Sequence, residues 1–472
     1  MNFSELFKVT SRQCSFSPNG EYLASVNQYR LIIRSSTTLE IINLFACIDT
    51  IENIEWSYDS RLISAGLIKR NAVQIFSLDN PEWKCKIDEG SAGLCNVHWA
   101  PDSRHILTTA QFHLRITVWS LTTKNVSYIK YPKKLLPSSY VFSSLKPYMA
   151  LVERRNDSTD HISIFDYLSN WSMIAHFQPS ELEDLQGIEW SPIADVLCLW
   201  ENSYEYKIVF YTLDGQLLNV YKQENDRLSL GIRCARWSPT GQVIVVGDYE
   251  ERITVFSYLT YKKIQESFEH PQKLSSGKGY AILKEEEYNS DGQEKTDQSQ
   301  RKPYSSSAYS SSTVSQTEKI SSVESKYIIY NGTLQIAPIK PDLDRANPRL
   351  GVSCIEYSCS GRYVATINDT MPNLLFIFDF KPTFRLAFVL IQLQPIRCVK
   401  WEPKRDHLAL CTHNNRVYIW SPQGASCINL PDESSKHTID EIKWNTFSSS
   451  SSIALIGQET MCVGFIDLNN DI

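Results

Sequence analysis

The chain has 472 residues, 42% apolar and 21% charged, with 53 acidic against 47 basic side chains and a net charge of −6. No basic run exceeds two residues, which argues against a phosphate-driven nucleic-acid ligand, and no apolar run nears the ~20 residues of a membrane helix. The 12 cysteines form no C-x-x-C pair and the start "MNFSELFKVTS" has no signal-like apolar stretch, so reduced core thiols in an intracellular protein without metal or cofactor are expected.

In chain order the predicted elements repeat one pattern. An aromatic precedes a Ser/Pro/Asp/Gly turn, and a short apolar run follows: "CSFSPNGEYLAS", "IEWSYDSRLISA", "VHWAPDSRHILT", "YVFSSLKPYMAL", "IEWSPIADVLCL", "ARWSPTGQVIVV", "IEYSCSGRYVAT", "VKWEPKRDHLAL" and "IKWNTFSSSSSIAL". The anchors are Phe16, Trp56, Trp99, Phe142, Trp190, Trp237, Tyr357, Trp401 and Trp444, spaced 40 to 48 residues apart except for one interval of 120. A second β-rich run follows each: "RLIIRSS" in the first unit, then "AVQIFSL", "RITVWSL", "HISIFDY", "KIVFYTL", "RITVFSY", "LLFIFDF", "RVYIWSP" and "VGFIDL". A further run usually comes after it, as in "WKCKIDEG", "NVSYIKYP", "WSMIAHF", "QLLNVYK", "KKIQESF" and "RLAFVLI". Runs of this length, rich in Val, Ile, Tyr and Phe and bounded by turn residues, are strands. Four strands in roughly 43 residues make a propeller blade of the WD40 type, because one sheet cannot bury both apolar faces unless it stacks on neighbours.

The expected fold is therefore an all-β WD40-type propeller, read as one ring of nine blades. A ring of seven or eight with a degenerate unit packed outside is the alternative. The last unit stops after its third strand, so "FSELFKVTS" is expected to supply the missing outer strand and tie the ring shut. Residues 1–270 hold blades one to six and 351–472 hold blades seven to nine. Between them, 271–350 form an insertion whose Ser-rich centre, 288–326, is too polar to offset its ordering entropy and is expected to be disordered. It reads as a tolerated surface loop or as a phosphorylation-regulated docking segment. Its flanks, "GYAILKEEE" and "KYIIYNGTLQIAPI", read as strands added to blades six and seven.

No catalytic motif is present: the nine His make no H-x-x-x-H or H-E-x-x-H, and neither G-x-S-x-G nor a P-loop occurs. Glu181, Glu183 and Asp184 read as solvated loop charge. The Trp-Asp dipeptide of many WD40 blades is missing, and the position six before the closing aromatic carries Arg70, His113, Glu250, Pro372 or Asn414. Blades of this kind are expected to be held mainly by packing and strand ladders. No catalytic, cofactor or metal residue is assigned.

Several longer stretches resemble one family: "CKIDEGSAGL" (85–94), "FHLRITVWSL" (112–121), "VSYIKYP" (126–132), "ERR" (153–155), "LEDLQGIEWSP" (182–192), "EYKI" (205–208) and "DRANPRLG" (344–351). It is the centrosomal WD-repeat family of WD repeat-containing protein 8, the WD-repeat protein antisense to a tumour-protein gene. The likeness runs from "MNFSE" to the last blade and includes an insertion at the same place. The resemblance implies a non-catalytic scaffold at the centrosome and spindle pole. It implies a coiled-coil centriolar-satellite protein as partner, and a minus-end-directed kinesin-14 in fungi. Its implied role is anchoring microtubule minus ends and supporting spindle poles, satellites and cilium formation. A substrate receptor for a ubiquitin ligase, or another multiprotein platform, remains the other reading, since fold alone does not separate them. Within the family stretches, Asp88, Glu89, His113, Arg115, Asp344, Arg345 and Asn347 look exposed and polar and are the candidate protein-binding residues. Turn capping explains the Asp and Asn equally well.

Overall fold

The computed structural model describes residues 1–135, 138–155, 159–223, 230–289, 323–342, 344, 349–431, 437–446 and 451–466. Blade two shows why the repeat folds as it does. Its strands Asn53–Trp56, Leu62–Leu67, Ala72–Ser77 and Lys84–Asp88 form one antiparallel sheet in sequence order. The third strand is buried along its whole length, whereas the fourth alternates and faces solvent. Middle strands covered on both faces read as continuous apolar runs, and rim strands do not. The turn after Trp56 is closed by Ser57, whose hydroxyl accepts from Leu62 N (2.9 Å) and donates to Asp59 (2.7 Å). Ser60 then takes a left-handed φ of 62°. The equivalent positions Gly20, Ser103, Gly241 and Gly361 share that conformation, which is why Gly or a small polar residue recurs there.

Nine such sheets follow one another around an axis. Their innermost strands are Cys14–Phe16, Asn53–Trp56, Asn96–Trp99, Tyr140–Phe142, Leu185–Trp190, Ile232–Trp237, Val352–Tyr357, Cys398–Trp401 and Glu441–Trp444. The innermost strands of successive blades touch, and that of blade nine returns to blade one. The anchor aromatics lie between neighbouring sheets, and four of them tie blades together by hydrogen bonds. The indole N–H of Trp56 donates to Ser15 O, that of Trp99 to Glu55 O, that of Trp401 to Glu356 O and that of Trp444 to Lys400 O, all at 2.9–3.1 Å. Turn-to-turn bonds add to this: Asn19 N donates to Ser60 Oγ and Asp59 N to Ser103 Oγ. The apolar core is accordingly a set of wedges. Between blades one and two, for example, Leu31, Ile33, Phe45, Ile54, Trp56 and Ile63 pack together.

The ring closes as the sequence predicts. Asn2–Phe3 and Phe7–Lys8 pair antiparallel with Thr460–Phe465, the third strand of blade nine, in the register Asn2↔Phe465 and Phe7↔Met461. Phe7 also lies under the Arg34 guanidinium of blade one at 4.4 Å. Among the described residues there is no α-helix, only three single-turn 3-10 segments, and no helix is long and apolar enough to cross a membrane.

Four expectations are corrected. The first flank joins blade seven and not blade six, Ala281–Asn289 pairing parallel with the outer strand Arg385–Ile391, and the second flank is two strands rather than one: Val323–Ile329 pairs antiparallel with Ala281–Asn289, and Thr333–Gln335 pairs with Lys273–Ser275 in a separate two-stranded sheet. Ala281–Asn289 and Val323–Ile329 run into the stretch expected to be disordered at both its ends, and its centre, 290–322, lies outside the described residues. The predicted fourth strand of blade six, "KKIQESF", is broken. Only Phe268–Glu269 pairs there, with one bridge from Lys263 to Phe256. Cys95, expected in the core, is exposed just ahead of its strand, and Cys359 is exposed too.

Candidate protein-interaction face

At one end of the ring lie the regular turns between first and second strands, closed by Ser in six blades and built on Ala100, Glu402 and Asn445 in the other three. At the other end, the loops joining second to third strands, and each blade to the next, vary in length and sequence. The stretch that the sequence singled out, around blade three, sits at this irregular end.

Its foundation is buried. Glu89 is 6% exposed, so its reading as an exposed contact residue is corrected. Its carboxylate accepts from Thr108 Oγ1 (2.7 Å), from Thr117 Oγ1 (2.7 Å) and from the Arg115 guanidinium (3.0 Å). Thr108 in turn accepts the indole N–H of Trp119 at 2.8 Å. This chain of donors runs across the sheet from the loop to the closing aromatic, so blade three is not held by packing and ladders alone. Glutamate satisfies in one side chain what two strand hydroxyls and a cation require, and buried polar groups must be so satisfied. Blade four has its own network. Lys133 and Arg154 both bind Asp160 and Asp184, at 2.6–2.7 Å for the closest contacts. Asp184 is therefore not free solvated charge. Burial works to raise its pKa, but hydrogen bonds from Lys133, Asn202 and Arg154 outweigh this and hold it well below the usual carboxylate range.

Above the Glu89 network the surface is apolar. Phe112 is 89% exposed, Leu114 61% and Tyr131 49%. Leu114 O accepts Tyr131 N, so the loop within blade three and the loop leaving it are joined. Phe112, His113 and Tyr131 all have left-handed backbones, with φ of 58°, 53° and 62°. Bulky side chains rarely adopt that conformation, and its cost tends to be tolerated where a surface is used. His113 is half-buried, its Nδ1 has no partner, and burial followed by Lys134 lowers its pKa. Arg115 lies over the Tyr128 ring at 4.8 Å, and Lys130 and Lys134 are exposed beside it. The patch is thus aromatic and aliphatic with a basic rim. Phe112 was missed by sequence reasoning focused on polar groups, although "FHL" placed it next to a selected residue.

The other candidates divide. Asp88 is exposed, accepts Gly90 N at 3.0 Å and faces Lys86 at 3.5 Å, the geometry of a turn cap. Asp344 is exposed in the approach to blade seven, four blades round the ring, so the structure does not bring it to the blade-three patch. Arg345 and Asn347 lie outside the described residues. Among the described residues no group of three His, Cys, Asp or Glu is arranged to hold a metal ion.

A closed ring of four-stranded blades with these repeats defines a WD40-type β-propeller protein. A solved eukaryotic initiation factor structure shares the fold, with a TM-score of 0.55 at 10% identity over 89% of this chain and 88% of that one. The C-terminal WD40 domain of Sif2 is similar over 98% of both chains with a TM-score of 0.49 at 11% identity. No family model matches the sequence. A mouse protein, WD repeat-containing protein WRAP73, is 41% identical over 469 residues, covering 99% of this chain and 96% of the relative. An uncharacterized WD repeat-containing protein of Schizosaccharomyces pombe is 23% identical, covering 100% of this chain and 94% of that protein. The chain belongs to the WRAP73 family of WD repeat-containing proteins.

Proposed function

We propose that the chain is a non-catalytic scaffold that docks a coiled-coil protein partner on the blade-three patch. We place it at the centrosome and spindle pole, where the pair anchors microtubule minus ends and supports satellite and cilium assembly. The observation that carries the docking reading is Phe112, almost fully exposed on a left-handed backbone beside Leu114 and Tyr131 and set on the rigid Glu89 network. Exposed aromatics in a small apolar area with a charged rim suit an amphipathic helix with acidic flanks. The family stretches in the sequence support the cellular placement.

The test is proximity labelling in cells with the wild-type chain and with Phe112→Asp plus Leu114→Asp. The wild type is expected to label centrosomal and satellite proteins, and the variant to lose the coiled-coil partner while melting normally. Labelling confined to ubiquitin-ligase subunits, or a partner retained by the variant, would reject the reading.

A further inference from the structure

The outer strand of blade one, Ile41–Ala46, ends its sheet and pairs only with Arg30–Ser35. Charged residues blunt the outer strands of blades two, three and five, at Lys84 and Lys86, Lys130 and Lys222, a device that keeps sheet edges from pairing. Ile41–Ala46 carries no charge. Leu44 is 56% exposed, and Ile41, Ile42 and Ile48 are exposed with it. Cys47 N donates to Tyr29 O, so by the alternation of an antiparallel pair the backbone N–H and C=O of Leu44 and Ala46 point to the free edge. They have no partner among the described residues. The bare stretch ends at Ile48, whose N–H donates to Gln74 Oε1 at 2.9 Å.

Blade seven shows what such an edge takes. The outer strands of the two blades have their register shift at the same place, so Asn43, Leu44, Phe45 and Ala46 correspond to Phe388, Val389, Leu390 and Ile391. Gln392 N donates to Asn373 O just as Cys47 N does to Tyr29 O. On blade seven the inserted strand runs parallel along those four residues, with Ile282 opposite Val389 and Lys284 opposite Ile391. Val389 is fully buried there, in one apolar cluster with Ile282 and Leu274. Tyr330 N donates to Ile282 O, so residue 282 turns its backbone away from the blade and the Leu283 N–H is the one that faces its edge.

We propose that the blade-one edge takes an extended segment of a protein partner as a parallel fifth strand, with an aliphatic side chain beside Leu44 and a carboxylate beside Ala46. The aliphatic follows from the pairing of Ile282 with Val389. The carboxylate follows from charge. Arg30, the register partner of Ala46, is exposed, lies over the Tyr29 ring at 5.4 Å and has no ion pair among the described residues. The chain itself has no such segment to spare, since 290–322 and 467–472 contain no run of three apolar residues. One rim strand also falls short of the roughly 20–30 residues a side that hold two copies together stably, whereas strand addition draws on backbone hydrogen bonds and needs few side chains. This contact uses none of the blade-three residues, so it stands or falls separately from the docking reading above.

The experiment uses the full chain and fluorescein-labelled Gly-Tyr-Ala-Ile-Leu-Glu-Thr-Thr-Gly, which keeps residues 279–283 and puts a carboxylate in the place of Lys284. Fluorescence anisotropy should show saturable binding below about 1 mM. N-methylation of the peptide Leu, whose N–H faces the edge, should abolish binding, and N-methylation of the peptide Ile should leave it. Replacing the peptide Glu by Lys should weaken binding about threefold. In the chain, Leu44→Lys and Ala46→Pro should each weaken it about tenfold or more with the melting temperature unchanged, since both side chains are at the surface and the proline replaces an N–H that faces out. No saturation by about 1 mM, equal effects of the two N-methyl groups, full binding by either variant, or a dimer of the chain that the peptide dissociates would each overturn the proposal.

Discussion

Replacing Glu89 by alanine removes the acceptor shared by Thr108, Thr117 and Arg115. Each hydroxyl bond is worth about 1 kcal/mol and the charge-assisted one more, but Arg115 is 35% exposed on its side chain and recovers part of its loss from water. Thr108 has only a stretched alternative, Thr117 O at 3.4 Å, so its hydroxyl is left poorly satisfied. The net loss is about 3 kcal/mol. Because blades make separate wedges of core, the loss should open blade three before the ring as a whole. Hydrogen exchange followed by mass spectrometry reads this directly. Amides of His105–Thr109 and Arg115–Ser120 should exchange roughly a hundredfold faster than in the wild type, with blade eight unchanged. Glu89→Gln, which keeps one acceptor oxygen, should give an intermediate acceleration. Unaltered exchange in blade three, or equal acceleration in all blades, would refute the reasoning.

Gly187→Ala places a methyl 2.0 Å from Trp200 Cζ2 in blade five. It should cost about 3 kcal/mol, seen as a lowered melting temperature and a shifted tryptophan emission, and an unchanged melt would contradict the close packing there. His270 stays neutral when folded but takes a proton when unfolded below its ordinary 6.5, so its contribution to stability falls as pH drops from 6.5 toward 3. Asp248 has the opposite sign. Burial raises it to about 7 from 3.8, so its stabilisation is present at low pH and lost as pH rises through 7. Asp248→Asn should therefore expose the His270 effect, a loss of about 2 kcal/mol between pH 7 and pH 5 in urea melts, and equal stabilities at the two pH values would exclude it. Phe7→Ala should loosen the closure of blade nine by about 1–2 kcal/mol, measured as faster exchange at Thr460–Phe465, and unchanged exchange there would argue against the strand pairing as the clasp.

The ring was legible because its signal is periodic and backbone-level. Trp56, Trp99, Trp401 and Trp444 recur at one spacing since each must reach the preceding blade's innermost strand. The strand closing blade nine was legible from its absence at the other end of the repeat. What was hidden depends on side chains that meet only after folding. Glu89 looked like loop charge because Thr108, Thr117 and Arg115 come from strands that follow it by about twenty residues or more. His270 and Thr366 are brought together across the inserted segment, so no local window shows both. The parallel pairing of Ala281–Asn289 with Arg385–Ile391 was equally invisible, since a strand run does not name its neighbour. Phe112 was missed for a different reason: an exposed aromatic has the same letter as a buried one.

The hairpin on blade seven also decides how the longest interruption of the chain is carried. Asn289 and Val323 are register partners, so the intervening stretch departs from the rim and comes back to it at a single point. Its two ends are thus held side by side on one hairpin. Residues can be gained or lost beyond it without altering the spacing of any spoke, and a handle of this kind can diverge freely between relatives whose wheels are alike.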